Sequence, residues 1–502
     1  MATTGIDFSE YKPPGVYTEA VPGPQIGVRS SQSTAVGLFG TSLGYQTFTE
    51  SRIIPPDSTD SPALAVQTTT LGQKGIKQST IVVSDANTGL AYALNTDYTV
   101  VRVSAGADLA NDTRDDTFAI KRVTGSGGHI AAGDIVQIQY SYTDAAYFDP
   151  TIFYDYDDVR EKYGPPFNTG TAAVNGVAPG KVLSELTLAA KFAFLNGAYQ
   201  VICVPIDPAN QSSPQPGEYG AALAKLENEE MVSVVVPATG NQYVHDYVKL
   251  HVNQQSKNKY ERTGIVARDG SVTQVSTSVR QQDAKTLKSN RIAMVSPATF
   301  VYYSPELNDE VTLGGQYMAA SLAGIAVSMN SAMPLTRKTL SGWREVKYAA
   351  TSESNEEAKN KESREGLMVV EKTRRQQIQV RHGVTTDGGS GSLLQNREWS
   401  IIRQQDTMVF RIRDYLDNDG LIGMPIYDTT LINVKASAES ALQSLKRDQV
   451  IRDYQDLKVR QMETLPDVIE VRYAWLPAYP LNYIVVRYAV TLPSGDMTLV
   501  SA

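Results

Sequence analysis

Apolar positions along this chain recur at different periods, and the changes of period mark its segments. Over residues 399 to 417, Ile401, Ile402, Met408, Val409, Ile412 and Leu416 share one face at the 3.6-residue period, and Asp417, Asn418, Asp419 and Gly420 then stop it. The spacing predicts a core-facing helix. A second helix over 433 to 447 turns Val434, Ala438, Ala441, Leu442 and Leu445 inward and leaves Lys435, Glu439, Gln443, Lys446 and Arg447 on the wet side. Beyond Pro466 the period falls to two: Ile469, Val471, Tyr473 and Trp475 alternate with Glu470, Arg472 and Ala474, and Ile484, Val486, Tyr488 and Val490 alternate with Val485, Arg487 and Ala489. With LPAYPLN as the turn, this predicts a hairpin of strands 467 to 475 and 482 to 491.

Upstream, helical segments alternate with continuous apolar runs. KVLSELTLAAKFAFLNG precedes YQVICVPI, EYGAALAKLENEE precedes MVSVVVP, a helix near 243 to 258 precedes GIVAR, and one near 277 to 288 precedes RIAMVSP. Such alternation predicts a parallel sheet covered on both faces. The small-residue helix LGGQYMAASLAGIAVSM follows, then SNEEAKNKESREG, a charged helix with Glu357 and Lys361 at i,i+4 that reads as a solvated face. Strands GLMVVEK and QIQVRHGV come next, with Arg374 and Arg375 at the bend and Gly388 to Ser392 as a flexible link.

Between about 46 and 150 the chain is rich in Thr, Asp and Gly and carries strand signals at TIVVSD, DYTVVRV, DTFAIKRV and DIVQIQYSYT with no helical period between them, which predicts an inserted antiparallel β domain. Residues 1 to 30 have no apolar period. Pro13, Pro14, Pro22 and Pro24 surround Val16, Tyr17 and Thr18, so this stretch favours an extended arm. The division is then an arm over 1–33, a first core strand within 34–45, the inserted β domain over 46–150, an α/β core over 151–340, an α+β C-terminal domain over 341–491 and a C-terminal arm over 492–502.

Composition narrows the function classes. At 502 residues several domains are expected, and a net charge of −8 gives no global attraction to nucleic acid. The Met-Ala-Thr-Thr start lacks a basic n-region, and no window reaches the ~18 uninterrupted apolar residues of a membrane span, so no direct membrane insertion is expected. One cysteine, Cys203, excludes an intrachain disulfide and sits inside an apolar strand. Tyrosine, at 27 residues against 11 Phe, favours a protein that buries surface against partners.

The sharpest candidate for chemistry is Gly40-Thr41-Ser42-Leu43-Gly44, a G-x-S-x-G match that follows a strand. A serine hydrolase needs a histidine base and an orienting carboxylate. His129 falls in a Gly-rich turn of the insertion, His245 and His251 on a helix expected at the surface, and His382 in a hairpin strand, so none is placed as a base for Ser42. His245 and His251 are off the i,i+4 spacing of two metal ligands on one helix, and Asp155, Asp157 and Asp158 lack the later Gly and Glu of a calcium loop. No phosphate-binding G-x-x-x-x-G-K-[ST] loop exists, and no cofactor is expected. Lys435, Lys446, Arg447 and Arg452 are interleaved with Glu439, Asp448 and Asp453, which suits a protein partner or solvent better than nucleic acid.

Several pieces, taken in order, carry a resemblance. They are PPGVYTEAVPGPQIGVRSSQSTAVGLFGTS (13–42), VRHGVTT (380–386), EWSIIRQQDTMVFRIRDYL, GLIGMPI, a polar-faced helix, and VIEVRYAWLPAYPLNYIVVRYAV. Together they resemble contractile tail sheath proteins of myovirus-type phages and related contractile injection systems. The resemblance implies a structural virion protein of the tail, assembled in the host cytoplasm, with a core described as subtilisin-like that strand TAVGLFG feeds. Copies would form a homo-oligomer of stacked rings around an inner tail tube protein, with baseplate and tail terminator proteins as further partners, and would contract to drive the tube through the target envelope. It further implies strand exchange between subunits through Gly15, Val16, Tyr17, Thr18 and Glu19 and through Ile484, Val486, Tyr488 and Val490. The C-terminal domain would lie at the inner radius, with Lys435, Lys446 and Arg447 toward the tube and the 399–417 helix as the competing face. A serine hydrolase using Ser42 is the alternative function.

Overall fold

The computed structural model describes residues 35–44, 46–55, 69–73, 76, 78–104, 117–124, 128–142, 145–174, 177–206, 214–389, 392–487, 489–491 and 497–499. Its centre is an eight-stranded sheet in the order Ile378–Val380, Leu367–Lys372, Ile292–Ser296, Thr263–Ala267, Val232–Pro237, Ala35–Gly40, Gln200–Pro205, Thr151–Phe153. The two edge strands are antiparallel to their neighbours and those between run parallel. Every side chain of Ala35–Gly40 is buried, because Val36 and Leu38 face one apolar layer while Ala35 and Phe39 face the other. That is why these strands read as unbroken apolar runs.

One layer holds the helices Glu185–Leu195 and Gly315–Ser328; the other holds Pro216–Lys225, Gln242–Lys257 and Thr277–Leu287. The small-residue helix can approach its neighbour because of Gly324, where an added Cβ would stand 2.2 Å from the Ala193 carbonyl oxygen. The insertion leaves the sheet after its central strand and returns into the edge strand Thr151–Phe153. It is built from two three-stranded antiparallel sheets, Gln46–Ile53 with Ile135–Tyr142 and Val82–Asp85, and Thr69–Thr70 with Thr117–Arg122 and Tyr98–Ser104, around Tyr98, Phe118, Ile120, Val136 and Ile138.

Several expectations are corrected. Leu367–Lys372 and Ile378–Val380, assigned above to the C-terminal domain, extend the core sheet, because Leu367 to Val369 pair parallel to Met294 to Ser296. The charged helix, Glu356–Arg364, is solvated on the face of Glu357 and Lys361, as expected, but its other face, with Lys359, Glu362 and Ser363, is buried. Its Glu362 is 1% exposed and accepts from Arg280 Nη2 at 2.8 Å and Ser296 Oγ at 2.6 Å. His245 and His251 point inward rather than to the surface, on the buried face of Gln242–Lys257 with Val244, Val248 and Val252. The second C-terminal helix starts at Asp428 rather than 433. The link expected over 388–392 lies partly outside the described residues.

The largest correction is the hairpin. Ile469–Pro477 pairs antiparallel with Ile451–Gln461, not with 482–491. Ile451–Gln461 hides its alternation behind two register shifts, and Asp456 at φ 55 turns through the left-handed region, so apolar residues fall out of strict period two. Residues 482–487 join no strand, and Ala489–Thr491 pairs with Met497–Leu499.

The Arg280–Glu362 pair gives the first prediction. Removing one partner of a buried pair leaves the other charge uncompensated. Glu362→Ala is expected to destabilise the folded chain by ~3–5 kcal/mol, read as a shift of the urea midpoint.

Candidate functional site

Two regions hold the residues singled out in the sequence. The first lies at the carboxyl ends of the parallel strands, where Ala35–Gly40 sits between Gln200–Pro205 and Val232–Pro237. Numbered along the chain, the six parallel strands from this edge run 2-1-3-4-5-6, so the crevice beside strand 1 is where doubly wound sheets bind ligands. Here the chain fills that position with its own side chains. Glu185 Oε2 accepts from Thr41 Oγ1 at 2.8 Å and from Tyr219 Oη at 3.2 Å. Ser42, 5% exposed, accepts from Tyr147 Oη at 2.9 Å, and Tyr147 Oη also receives the Gly44 N–H at 3.2 Å.

A nucleophile elbow needs strand, turn and helix in that order. After Ser42 the chain instead runs on toward the insertion strand Gln46–Ile53. No histidine is brought to Ser42. His129 pairs with Asp97 at 2.6 Å in the insertion, and hydrogen bonds from Ala93 and His129 hold the Asp97 carboxyl below its ordinary pKa. Burial, and then Arg268, push the His245 ring down to about 3, and burial with Arg262 does the same to His251, so both are neutral. His382 binds Glu398 at 2.7 Å. Asp155 caps the helix Tyr156–Tyr163 by accepting from the Asp157 N–H, which explains the acidic run without a metal. Among the described residues no group of three or more His, Cys, Asp or Glu side chains could hold a metal ion, and no helix is long and apolar enough to cross a membrane.

The second region is C-terminal. Helices Trp399–Asn418 and Asp428–Arg447 pack through Ile401, Met408, Ile412 and Leu416 against Val434, Ala441, Leu442 and Leu445, and the hairpin closes this core with Ile451 and Trp475. Val409, expected on the same face, is partly buried. Lys435, Lys446 and Arg447 lie on the exposed side, where Lys446 Nζ reaches Asp453 at 2.8 Å and Arg447 Nε lies 3.5 Å from Asp448. Beyond the hairpin, Leu481, Tyr483, Ile484, Val485 and Val486 are 76–79% exposed. Ile484 and Val486 are thus surface residues outside any strand, and Val490 lies in the short strand Ala489–Thr491. Gly15, Val16, Tyr17, Thr18, Glu19 and Tyr488 lie outside the described residues.

The chain fills its crevice with its own side chains and leaves an apolar segment on its surface. It is 44% identical, over a 589-residue alignment spanning 98% of both chains, to the tail sheath protein of Mycobacterium phage Bxz1. The chain belongs to the tail sheath protein family. No family model matches it. Its fold is similar to the helical sheath of the anti-feeding prophage in the contracted state, with TM-score 0.54, 10% identity and coverage of 95% of this chain and 99% of that one. It is also similar to the contracted sheath complex of the extracellular contractile injection system PVC, with TM-score 0.50, 12% identity and coverage of 95% and 98%. Identities this low show the fold alone: a mixed sheet with separate antiparallel sheets and helices.

Glu185 was not singled out in the sequence, where it is only the first residue of a helix. Burial pushes its carboxyl up to about 7, against the hydrogen bonds from Thr41 and Tyr219 that favour the ion. Between the ordinary value of 4.5 and about 7 the folded chain keeps a proton that the unfolded chain has lost, so stability falls as pH rises through this window. Glu185→Gln, which cannot ionise, is expected to flatten that part of the stability–pH curve measured by urea unfolding; an unchanged slope would reject the assignment.

Proposed function

We propose that this tail sheath protein is the repeating subunit of a contractile sheath. Copies polymerise as stacked rings in a helical array around an inner tail tube protein, between baseplate and tail terminator proteins, and contraction drives the tube through the target envelope. The role is structural rather than enzymatic, and the protein resides in the virion tail after assembly in the host cytoplasm. The observation that carries this reading is the end-to-end identity with a phage tail sheath protein. Similarity to sheaths in the contracted state supports it at the level of fold. The finer description of the core as subtilisin-like rests on a parallel sheet with helices on both faces.

Subunits are joined through their terminal strands. Ile484 and Val486 sit in an apolar segment with no strand partner among the described residues, and exposed apolar strand edges must be covered or they aggregate. The run Gly15 to Glu19 has strand propensity and prolines on both sides, which forbid a local hairpin. Backbone hydrogen bonds at a net ~0.5–1.5 kcal/mol each make a four- or five-residue added strand worth a few kcal/mol. Repeated around a ring, that holds a mesh. Deleting residues 1–20 is therefore expected to leave a folded protein that forms no tubes on negative-stain grids, and Val16→Pro to act nearly as strongly by removing a ladder donor. Normal tubes from the deletion would reject strand linkage.

The tube contact is assigned to Lys435, Lys446 and Arg447. A contact that must release on contraction suits a polar and modest surface. Lys446 and Arg447 are engaged with Asp453 and Asp448 in the isolated subunit, so binding would exchange these exposed, weakly stabilising pairs for tube carboxylates. Reversal of all three charges should abolish tube-templated assembly; sheaths of unchanged length and yield would remove the contact from this face.

A further inference from the structure

The exposed C-terminal segment is rooted by side chains. Gln404, fully buried on the Trp399–Asn418 helix, engages both backbone groups of Ala478: the Ala478 N–H donates to its Oε1 at 2.8 Å, and its Nε2 donates to the Ala478 carbonyl at 3.1 Å. One amide side chain thus does locally what a neighbouring strand would do. Four residues later, Asn482 Nδ2 donates to Glu398 Oε1 at 2.9 Å and lies 3.2 Å from His382 Nε2. His382 Nε2 meets the same Glu398 oxygen at 2.7 Å.

Glu398 has no exposed surface and is the residue from which the Trp399–Asn418 helix starts. His382 is the third residue of VRHGVTT, the sequence piece for which the assembly reading above has no use. Around it, the Arg381 N–H donates to the Val369 carbonyl at 2.8 Å, the Thr385 hydroxyl to the Asn396 carbonyl at 2.7 Å, and the Thr386 hydroxyl to the Ser289 carbonyl at 3.0 Å. The Trp399 N–H reaches back to the Gly383 carbonyl at 3.1 Å. VRHGVTT therefore ties the edge of the core sheet, the start of the helix and the root of the tail to one carboxylate.

A buried carboxylate is an expensive way to stabilise a fold, since an apolar group of the same size avoids its desolvation. What it contributes is a single geometry. Beyond Asn482, Tyr483 to Val486 have no partner strand among the described residues, so the polar root alone decides where the segment leaves the molecule and in what direction. A segment swinging freely would lose backbone entropy for each residue ordered on pairing, and a fixed root lowers that loss. We infer that Gln404, Glu398, His382 and Asn482 form a latch that positions the 483–487 segment for pairing with a neighbouring copy and passes load from that strand into the core. The inference rests on the strand linkage proposed above. All four are positioning residues, since none need touch the neighbour.

The test uses the full-length chain, a truncation ending at Asn482, the double variant Gln404→Ala/Asn482→Ala, and Asn482→Asp, which keeps the shape but removes the donor toward Glu398. Amide hydrogen exchange over 478–487 and the helical pitch of tubes by electron microscopy are the readouts. The double variant is expected to melt with the wild-type core, to exchange about tenfold faster over 478–487, and to give no tubes or tubes of irregular pitch. Asn482→Asp, which also sets a second carboxylate against Glu398, should do the same. Wild-type pitch from the double variant, while the truncation makes no tubes, overturns the latch and leaves strand linkage standing; normal tubes from the truncation overturn the linkage itself. Should the double variant fail to fold, Asn482→Asp decides: wild-type exchange and pitch overturn the latch.

Discussion

The Trp399–Asn418 helix is held from two sides by different forces, and the rest of the molecule depends on that. Toward the second helix and the hairpin it presents Ile401, Met408, Ile412 and Leu416. Toward the core it presents charge: Arg413 pairs with Glu261, and Asp406 with Arg291 at 2.8 Å, on the chain leading into two neighbouring strands of the central sheet. Arg403 lies over the Trp399 ring at 5.2 Å. Apolar packing tolerates sliding, whereas paired buried charges do not, because each misplaced ion is left without its partner. The C-terminal unit is thereby indexed to the core sheet.

That indexing suits a sheath subunit whose domains shift as rigid bodies. The central strand Ala35–Gly40 follows residue 34 and precedes the insertion, so the insertion leaves from the middle of the sheet rather than from an edge. The opposite end of the chain follows the hairpin strand Ile469–Pro477 and is held at Ala478 by Gln404 of the helix that is ion-paired to the same sheet. The self-filled crevice at Glu185, Thr41 and Tyr219 fits the same picture, since a ligand site would gain nothing from a carboxylate already satisfied by its neighbours.

How much of this could be read in the sequence depends on the range of the forces involved. The two C-terminal helices were legible because their apolar faces are local and periodic, down to the stop at Gly420, which takes φ 63. The core strands were legible because burial on both faces leaves an unbroken apolar run. The hairpin was misassigned because the bulges in Ile451–Gln461 scramble its period, while the visible alternation at Ile484 to Val490 belongs to a segment that pairs with none of the hairpin. Glu362, His245 and His251 were misplaced since a polar residue bound for the interior looks, in sequence, like one bound for solvent; its partners decide. The latch was invisible for a similar reason: Glu398 meets His382 sixteen residues away and Asn482 eighty-four residues away, and no local pattern records such a meeting.

The central claim is that neighbouring copies are joined through their terminal segments. With Cys203 buried, paired cysteines introduced at Tyr17 and Ile484 report that joint against a clean background. In intact tubes, a short thiol-reactive crosslinker should produce a ladder of covalently linked chains, absent from dissociated subunits at the same concentration. Crosslinks confined to single chains, or monomer alone from intact tubes, would contradict it.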